Sequence, residues 1–205
     1  IDHLEQLAKV LRGITVTHVN STRSGGGVAE ILDRLVPLTN ELGITTRWEV
    51  IEGDGAFYQC TKSMHNALQG HAVPLTDADV RAYEQTNARN AERLHDVLRD
   101  SDIVFIHDPQ PAALLSQIPD RKGRWIWRCH IDVSTPWRNV WKYIRAHVAP
   151  YDASIFSLAD FVQPLPHLSY LIPPSIDPLS EKNIELSDAE VAGVRAAYGT
   201  DPDRP

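Results

Sequence analysis

Three short segments carry residues whose types suit ligand chemistry: HVNSTRSGGGVAEI, IVFIHDPQPAAL and WIWRCHIDVSTPW. In the first, a strand ends at His18 to Asn20, and Gly25, Gly26 and Gly27 open a helix that begins near Val28. Glycines let a ligand approach bare backbone, and the N–H groups and dipole of a helix start favour an anion or a sugar oxygen. The contiguous glycines fit neither GxGxxG nor GxxxxGK[ST], since no Lys follows, so a classical dinucleotide or P-loop site is disfavoured. A plain flexible turn would use the same glycines; their place before a well-patterned helix favours binding.

In the second segment His107 and Asp108 leave a strand, with Pro109 and Pro111 stiffening the exit. Asp108 either accepts hydrogen bonds from hydroxyls or caps a helix starting near Pro111, which is its plainer role taken alone. In the third, Arg128, His130 and Asp132 follow an aromatic, apolar strand. His130 by itself reads as a core or capping histidine. Together the three segments project from strand ends on one edge, where a composite ligand site forms. The tryptophans, four of them in regular elements, read as packing rather than a stacking platform. Cys129 has no partner base fixed by sequence, so a catalytic thiol is disfavoured.

The elements that must position these residues follow from apolar patterning. Short β-branched runs lie at Ile14 to Val19, Thr45 to Ile51, Asp102 to Ile106, Arg124 to Cys129, Ala153 to Ser157 and Ser169 to Ile172. Between them, Val28, Ile31, Leu32, Leu35 and Leu42 make a helical stripe kinked by Pro37 and ended by Gly43. A helix over Phe57 to Leu68 ends at Gly70, and Thr76 caps a long helix reaching about Arg99. Thr135 and Pro136 predict the cap and first residue of another, with Trp137, Val140, Trp141 and Ile144 as its buried stripe. Ser187 caps a last helix to about Tyr198. Alternating strands and helices predict an α/β, Rossmann-like parallel sheet with helices on both faces.

Composition bounds the rest. With 205 residues, 42% of them apolar, the chain is long enough for one α/β domain with an extension and can bury a sizeable core. Its 20 Lys and Arg stand against 27 Asp and Glu, a net charge of −7 without a basic block, which argues against nucleic acid and anionic membrane as partners. No apolar run approaches a membrane span, and the first residues lack the pattern of a signal peptide. Cys60 and Cys129 show no metal or disulfide spacing, as expected of reduced thiols in the cytoplasm. A start on Ile1 and an abrupt DPDRP end suggest a trimmed product.

The strings HVNSTRSGGGVAEILDRLVPL, FIHDPQPAAL, WRCHIDVSTP and LIPPSIDPLSEKN resemble the amino-terminal half of trehalose glycosyltransferring synthases. These are retaining GT-B enzymes of the glycosyltransferase family that includes sucrose and glycogen synthases. The resemblance implies transfer of glucose from ADP-glucose or UDP-glucose to free glucose, giving trehalose. By position it implies that Gly25 to Gly27 approach the transferred sugar and diphosphate, that Asp108 holds acceptor hydroxyls and that His130 contacts the donor sugar. Asp108 and His130 are thus the candidate catalytic residues; Asn20, Gly25, Gly26, Gly27, Arg128 and Asp132 are the candidate substrate-binding ones. No metal ligand and no tightly bound cofactor is expected, the nucleotide sugar being a co-substrate and Mg²⁺ at most a stimulant.

The same resemblance divides the chain into an acceptor-binding domain over residues 1–172 and a connector over 173–205 that leads to a nucleotide-sugar domain. It implies that the 205 residues alone are essentially inactive. Three other readings stay open: a GT-B transferase with another sugar acceptor, a hydrolase whose metal is held by His18, His107, His130 and Asp108, and a stand-alone sugar-binding α/β module. Homodimerisation is also open.

Overall fold

The computed structural model describes residues 2–180 and 182–199. Its elements are α1 (Asp2–Leu11), β1 (Thr15–Asn20), α2 (Gly27–Glu41), β2 (Thr45–Val50), α3 (Gly55–Leu68), α4 (Asp77–Asp100), β3 (Ile103–His107), α5 (Leu114–Gln117), β4 (Arg124–Cys129), α6 (Arg138–Val148), β5 (Ala153–Phe156), a 3-10 turn (Ala159–Phe161), β6 (Leu168–Leu171) and α7 (Asp188–Tyr198). They fall into two compact units, Ile1–Pro174, which holds the sheet, and Ser175–Pro205, which holds α7.

The strands form one parallel sheet in the order β2-β1-β3-β4-β5-β6. The chain runs outward from β1 to β2, returns past β1 to β3 and continues in that direction. Crossovers of a single hand then put α2 on one face and α3 to α6 on the other. Strand order reverses between β1 and β3, and in an open α/β sheet the crevice beyond the strand ends at that point is where ligands bind.

The two faces are unequal. Val19, Val104, Ile106, Trp125, Trp127 and Cys129 point one way, into a large core completed by Phe57, Met64, Tyr83, Leu98, Val140 and Ile144. The other face carries a smaller cluster, in which Ala8 of α1 meets Val16 and Ile44 beside Ile103 and Phe105. Because successive strand residues alternate between faces, His18, Phe105, His107 and Arg128 share this second face. The register agrees, pairing His18 with Phe105 and His107 with Arg128.

Caps fix the helix starts. Thr76 and Asp79 form a capping box at α4, as Ser187 and Glu190 do at α7. Gly43 and Gly70 take positive φ of 84° and 98° just after α2 and α3, the conformation glycine adopts most cheaply. The helix expected to start at Pro136, capped by Thr135, begins two residues later, at Arg138. The backbone N–H of Trp137 first docks on the Ala67 carbonyl at 2.7 Å, which fixes the chain's entry in place of a threonine cap. Nor does the sequence pattern reveal α1, which buries only Ala8 and leaves Leu4, Leu7 and Val10 exposed.

Candidate functional site

At the carboxyl end of β1 the Asn20 amide is spent on the chain itself: it accepts from Trp48 Nε1 at 2.9 Å and donates to the Thr22 carbonyl at 2.8 Å. It therefore sets the course of the loop that follows. Arg23 in that loop lies over the Trp48 ring, 4.0 Å from its centroid, a cation–π contact that anchors the loop's near side. Gly25 has φ of 76°, which a side chain would strain. Gly26 is extended, and Gly26 and Gly27 would both point a Cβ into open space. Neither backbone angle nor packing within the chain asks for glycine at these two positions. The first turn of α2 also has no side-chain cap, so its N–H groups face outward unclaimed by one.

Asp108, one residue past β3, is the only non-glycine residue with positive φ among the described residues, at 64°. Three bonds hold it there. Its N–H donates to the Arg128 carbonyl at 2.9 Å, its carbonyl accepts from Trp127 Nε1 at 3.0 Å, and its Oδ1 accepts the His130 N–H at 2.8 Å. The carboxylate thus clasps the neighbouring strand end and caps no helix, since α5 starts only at Leu114 after Ala113. Burial pushes the Asp108 carboxyl up to about 6, against the opposing pull of the His130 N–H and the Arg128 charge. It is still mostly ionised at pH 7.

Arg128 is buried; Nη2 donates to the Ile172 carbonyl at 2.5 Å, while Nη1 has no partner. Asp132 turns back on its own loop, accepting from the Ser134 N–H at 2.8 Å. Cys129 is buried on the opposite face, its thiol raised well above its usual range by burial.

Two further residues join the site. His107 lies between two histidines: its Nε2 is 3.0 Å from His18 Nδ1 and its Nδ1 is 2.9 Å from His130 Nε2. His18 stacks on Phe105 with ring centroids 4.8 Å apart. Burial lowers His18 to about 4 and His107 well below its ordinary value, and burial with the Arg128 charge lowers His130 to about 4. All three rings are neutral near pH 7. Each ring nitrogen of His107 is already matched to another imidazole, at a spacing too short for a metal ion between them. Among the described residues, no group of three or more His, Cys, Asp or Glu is placed to hold a metal. The position of each histidine at a strand end was visible in the sequence; that they touch was not.

The sheet order, which reverses between β1 and β3, defines a class: a Rossmann-like parallel α/β sheet with helices on both faces, of the kind that forms the N-terminal part of GT-B folds. A trehalose-6-phosphate structure from E. coli with UDP-2-fluoro glucose bound superposes on 90% of this chain and 54% of its own, with a TM-score of 0.60 at 14% identity. An alpha,alpha-trehalose-phosphate synthase (UDP-forming) from Burkholderia xenovorans, in complex with glucose-6-phosphate, gives 0.54 at 17% identity over 73% of this chain and 41% of that one.

The family described as trehalose synthase, N-terminal domain, matches residues 18–163, and the chain belongs to it. Trehalose synthases from Pyrococcus horikoshii and Rubrobacter xylanophilus are 44% and 45% identical over 208 residues, which are 100% and 98% of this chain and 49% and 50% of theirs. A trehalose phosphorylase from Pleurotus pulmonarius is 29% identical over 153 residues, 64% of this chain and 20% of its own. The chain spans about half the length of the trehalose synthases it matches.

Proposed function

We propose that this chain forms the acceptor side of a retaining glycosyltransferase that moves glucose from ADP-glucose or UDP-glucose to free glucose, giving trehalose. One observation carries the reading: Asp108 and His130 stand joined, carboxylate to backbone N–H, at the ends of β3 and β4 beside the switch-point crevice. The ionised Asp108 accepts from hydroxyls of the glucose acceptor and fixes its orientation. His130 lies beside it, toward the donor sugar. The Gly26 and Gly27 backbone, open in front of α2, is where the sugar and diphosphate approach, since N–H groups at a helix start favour negative oxygens.

In retaining transfer on this fold the acceptor attacks from the face the nucleotide leaves, and the departing phosphate takes the acceptor's proton. No protein nucleophile is then required, which suits a crevice without paired carboxylates. Stabilising the leaving diphosphate needs fixed positive charge, commonly the largest catalytic contribution. Among the described residues, Arg128 is buried at the end of β4 and Arg23 is held over Trp48 in the glycine loop, too little such charge for the diphosphate, so the 205 residues alone should bind glucose yet transfer none. The reaction needs no tightly bound cofactor, and a cytoplasmic setting supplies both sugars.

Calorimetry of the chain with glucose, beside a trehalose assay with each nucleotide sugar, tests this. Glucose binding that disappears in Asp108→Ala, with no trehalose formed, is the expected result. Binding untouched by that substitution overturns the site, and rapid trehalose synthesis by the isolated chain overturns the division of labour.

A further inference from the structure

We propose that His18, His107 and His130 form a one-way chain of ring-to-ring hydrogen bonds that fixes the proton of His130 on Nε2 and so presents its Nδ1 to the crevice as an acceptor only. The proposal rests on the acceptor-site reading above for what Nδ1 meets. Its basis is geometry: two nitrogen pairs at 3.0 and 2.9 Å join three rings in series, and His107, in the middle, is 5% exposed.

A neutral imidazole has one N–H and one lone pair. His107 must therefore donate through one nitrogen and accept through the other. If it donates to His18 it accepts from His130; if it donates to His130 it accepts from His18. Reversing one link alone would set two lone pairs or two N–H groups face to face within a buried pair, at the full cost of unpaired polar groups. The chain is uniform in one sense or the other. In one sense every ring carries its proton on Nε2, and in the other every ring carries it on Nδ1. Neutral imidazole intrinsically favours Nε2–H, and three rings in series add that preference three times over. His130 Nε2–H then donates to His107 Nδ1, and His107 Nε2–H donates to His18 Nδ1.

Charge does not upset this arrangement near neutrality. The Arg128 charge acts on His107 and His130, and the Asp108 carboxylate accepts the His130 backbone N–H; burial, with Arg128, keeps the rings neutral near pH 7, His18 and His130 being lowered to about 4. His130 Nδ1 has no hydrogen-bond partner among the described residues. The Asp108 carboxylate, whose Oδ1 accepts the His130 backbone N–H at 2.8 Å, is the other acceptor at these strand ends. Two acceptors at neighbouring strand ends select hydroxyls that donate, and they disfavour a phosphoryl group there. His18 and His107 are thus positioning residues for an uncharged sugar, acting through His130.

Long-range ¹H–¹⁵N correlation of the histidine rings in the ¹⁵N-labelled 205-residue chain at pH 7 tests this directly. Expected are Nε2–H tautomers on all three rings and scalar couplings across both N–H···N bonds. A proton on Nδ1 of His130, or neither coupling, overturns the proposal; both readings are made on the native chain and need no variant. In His107→Phe the His130 tautomer should become mixed and glucose affinity fall about tenfold, whereas an unchanged His130 tautomer counts against the chain. If both couplings are present and glucose leaves His130 Nδ1 unshifted, the chain stands and the acceptor-site reading fails.

Discussion

At the residue scale, burial holds ionisable groups at these strand ends at values they would not have in water, and this makes the fold's stability depend on pH. His18 and His130 titrate at about 4 when folded, against 6.5 for a free ring, and His107 is lowered too. Between those values the unfolded chain takes up protons that the folded one refuses, so stability falls as pH drops from about 6.5 to 4. Asp108 opposes this, holding a proton when folded from about pH 6 down to 3.8, where the unfolded carboxyl would have lost it. Three rings outweigh one carboxyl. The thermal midpoint should fall by about 5–10 °C between pH 7 and 4.5; a midpoint that stays level or rises in calorimetry removes the buried neutral imidazoles from the account. Asp108 separates strain from charge. Asn tolerates positive φ and can still accept the His130 N–H, so Asp108→Asn should keep the thermal midpoint within about 2 °C while glucose affinity drops. Asp108→Ala should cost about 1–2 kcal/mol in denaturant unfolding, from the left-handed backbone alone.

At the element scale, the turn between β1 and α2 has one glycine that the fold requires and two that it does not. Gly25→Ala meets a φ of 76° and should destabilise by about 1 kcal/mol, read from urea unfolding. Gly26→Ala sits in extended backbone with open space ahead of its Cβ and should leave the unfolding midpoint in place. Equal losses at both positions would mean that this turn packs against something within the chain. Elements with strong local signals were legible in the sequence: the β4 run from Arg124 to Cys129 coincides with the strand, and Thr76 and Ser187 cap the helices expected of them. Helix α6 was placed two residues early because Trp137 docks on Ala67, seventy residues away, and no local pattern carries such a contact. Asp108 likewise had the look of a helix cap, and its partner proved to be the next strand.

For the whole molecule, both hydrophobic clusters lie within Ile1–Pro174. A chain ending at Pro174 should therefore unfold in a single cooperative transition with near-native far-ultraviolet dichroism; a broad, non-cooperative melt would show that the core depends on the residues beyond. Among the described residues, no helix is long and apolar enough to cross a membrane. Alternating strands and helices, the cap residues, the glycine turn and the polar residues at strand ends were determined by the sequence alone, because each depends on local backbone preference or on a repeat of two or 3.6 residues. Only the tertiary structure decided the strand order that puts β1 beside β3, and with it the chain of three histidines and the clasp of Asp108 on His130. Those contacts join residues 22 to 89 positions apart. They exist because parallel pairing sets the register of one strand against the next, and a side-chain pattern read along a single strand holds no information about its neighbour.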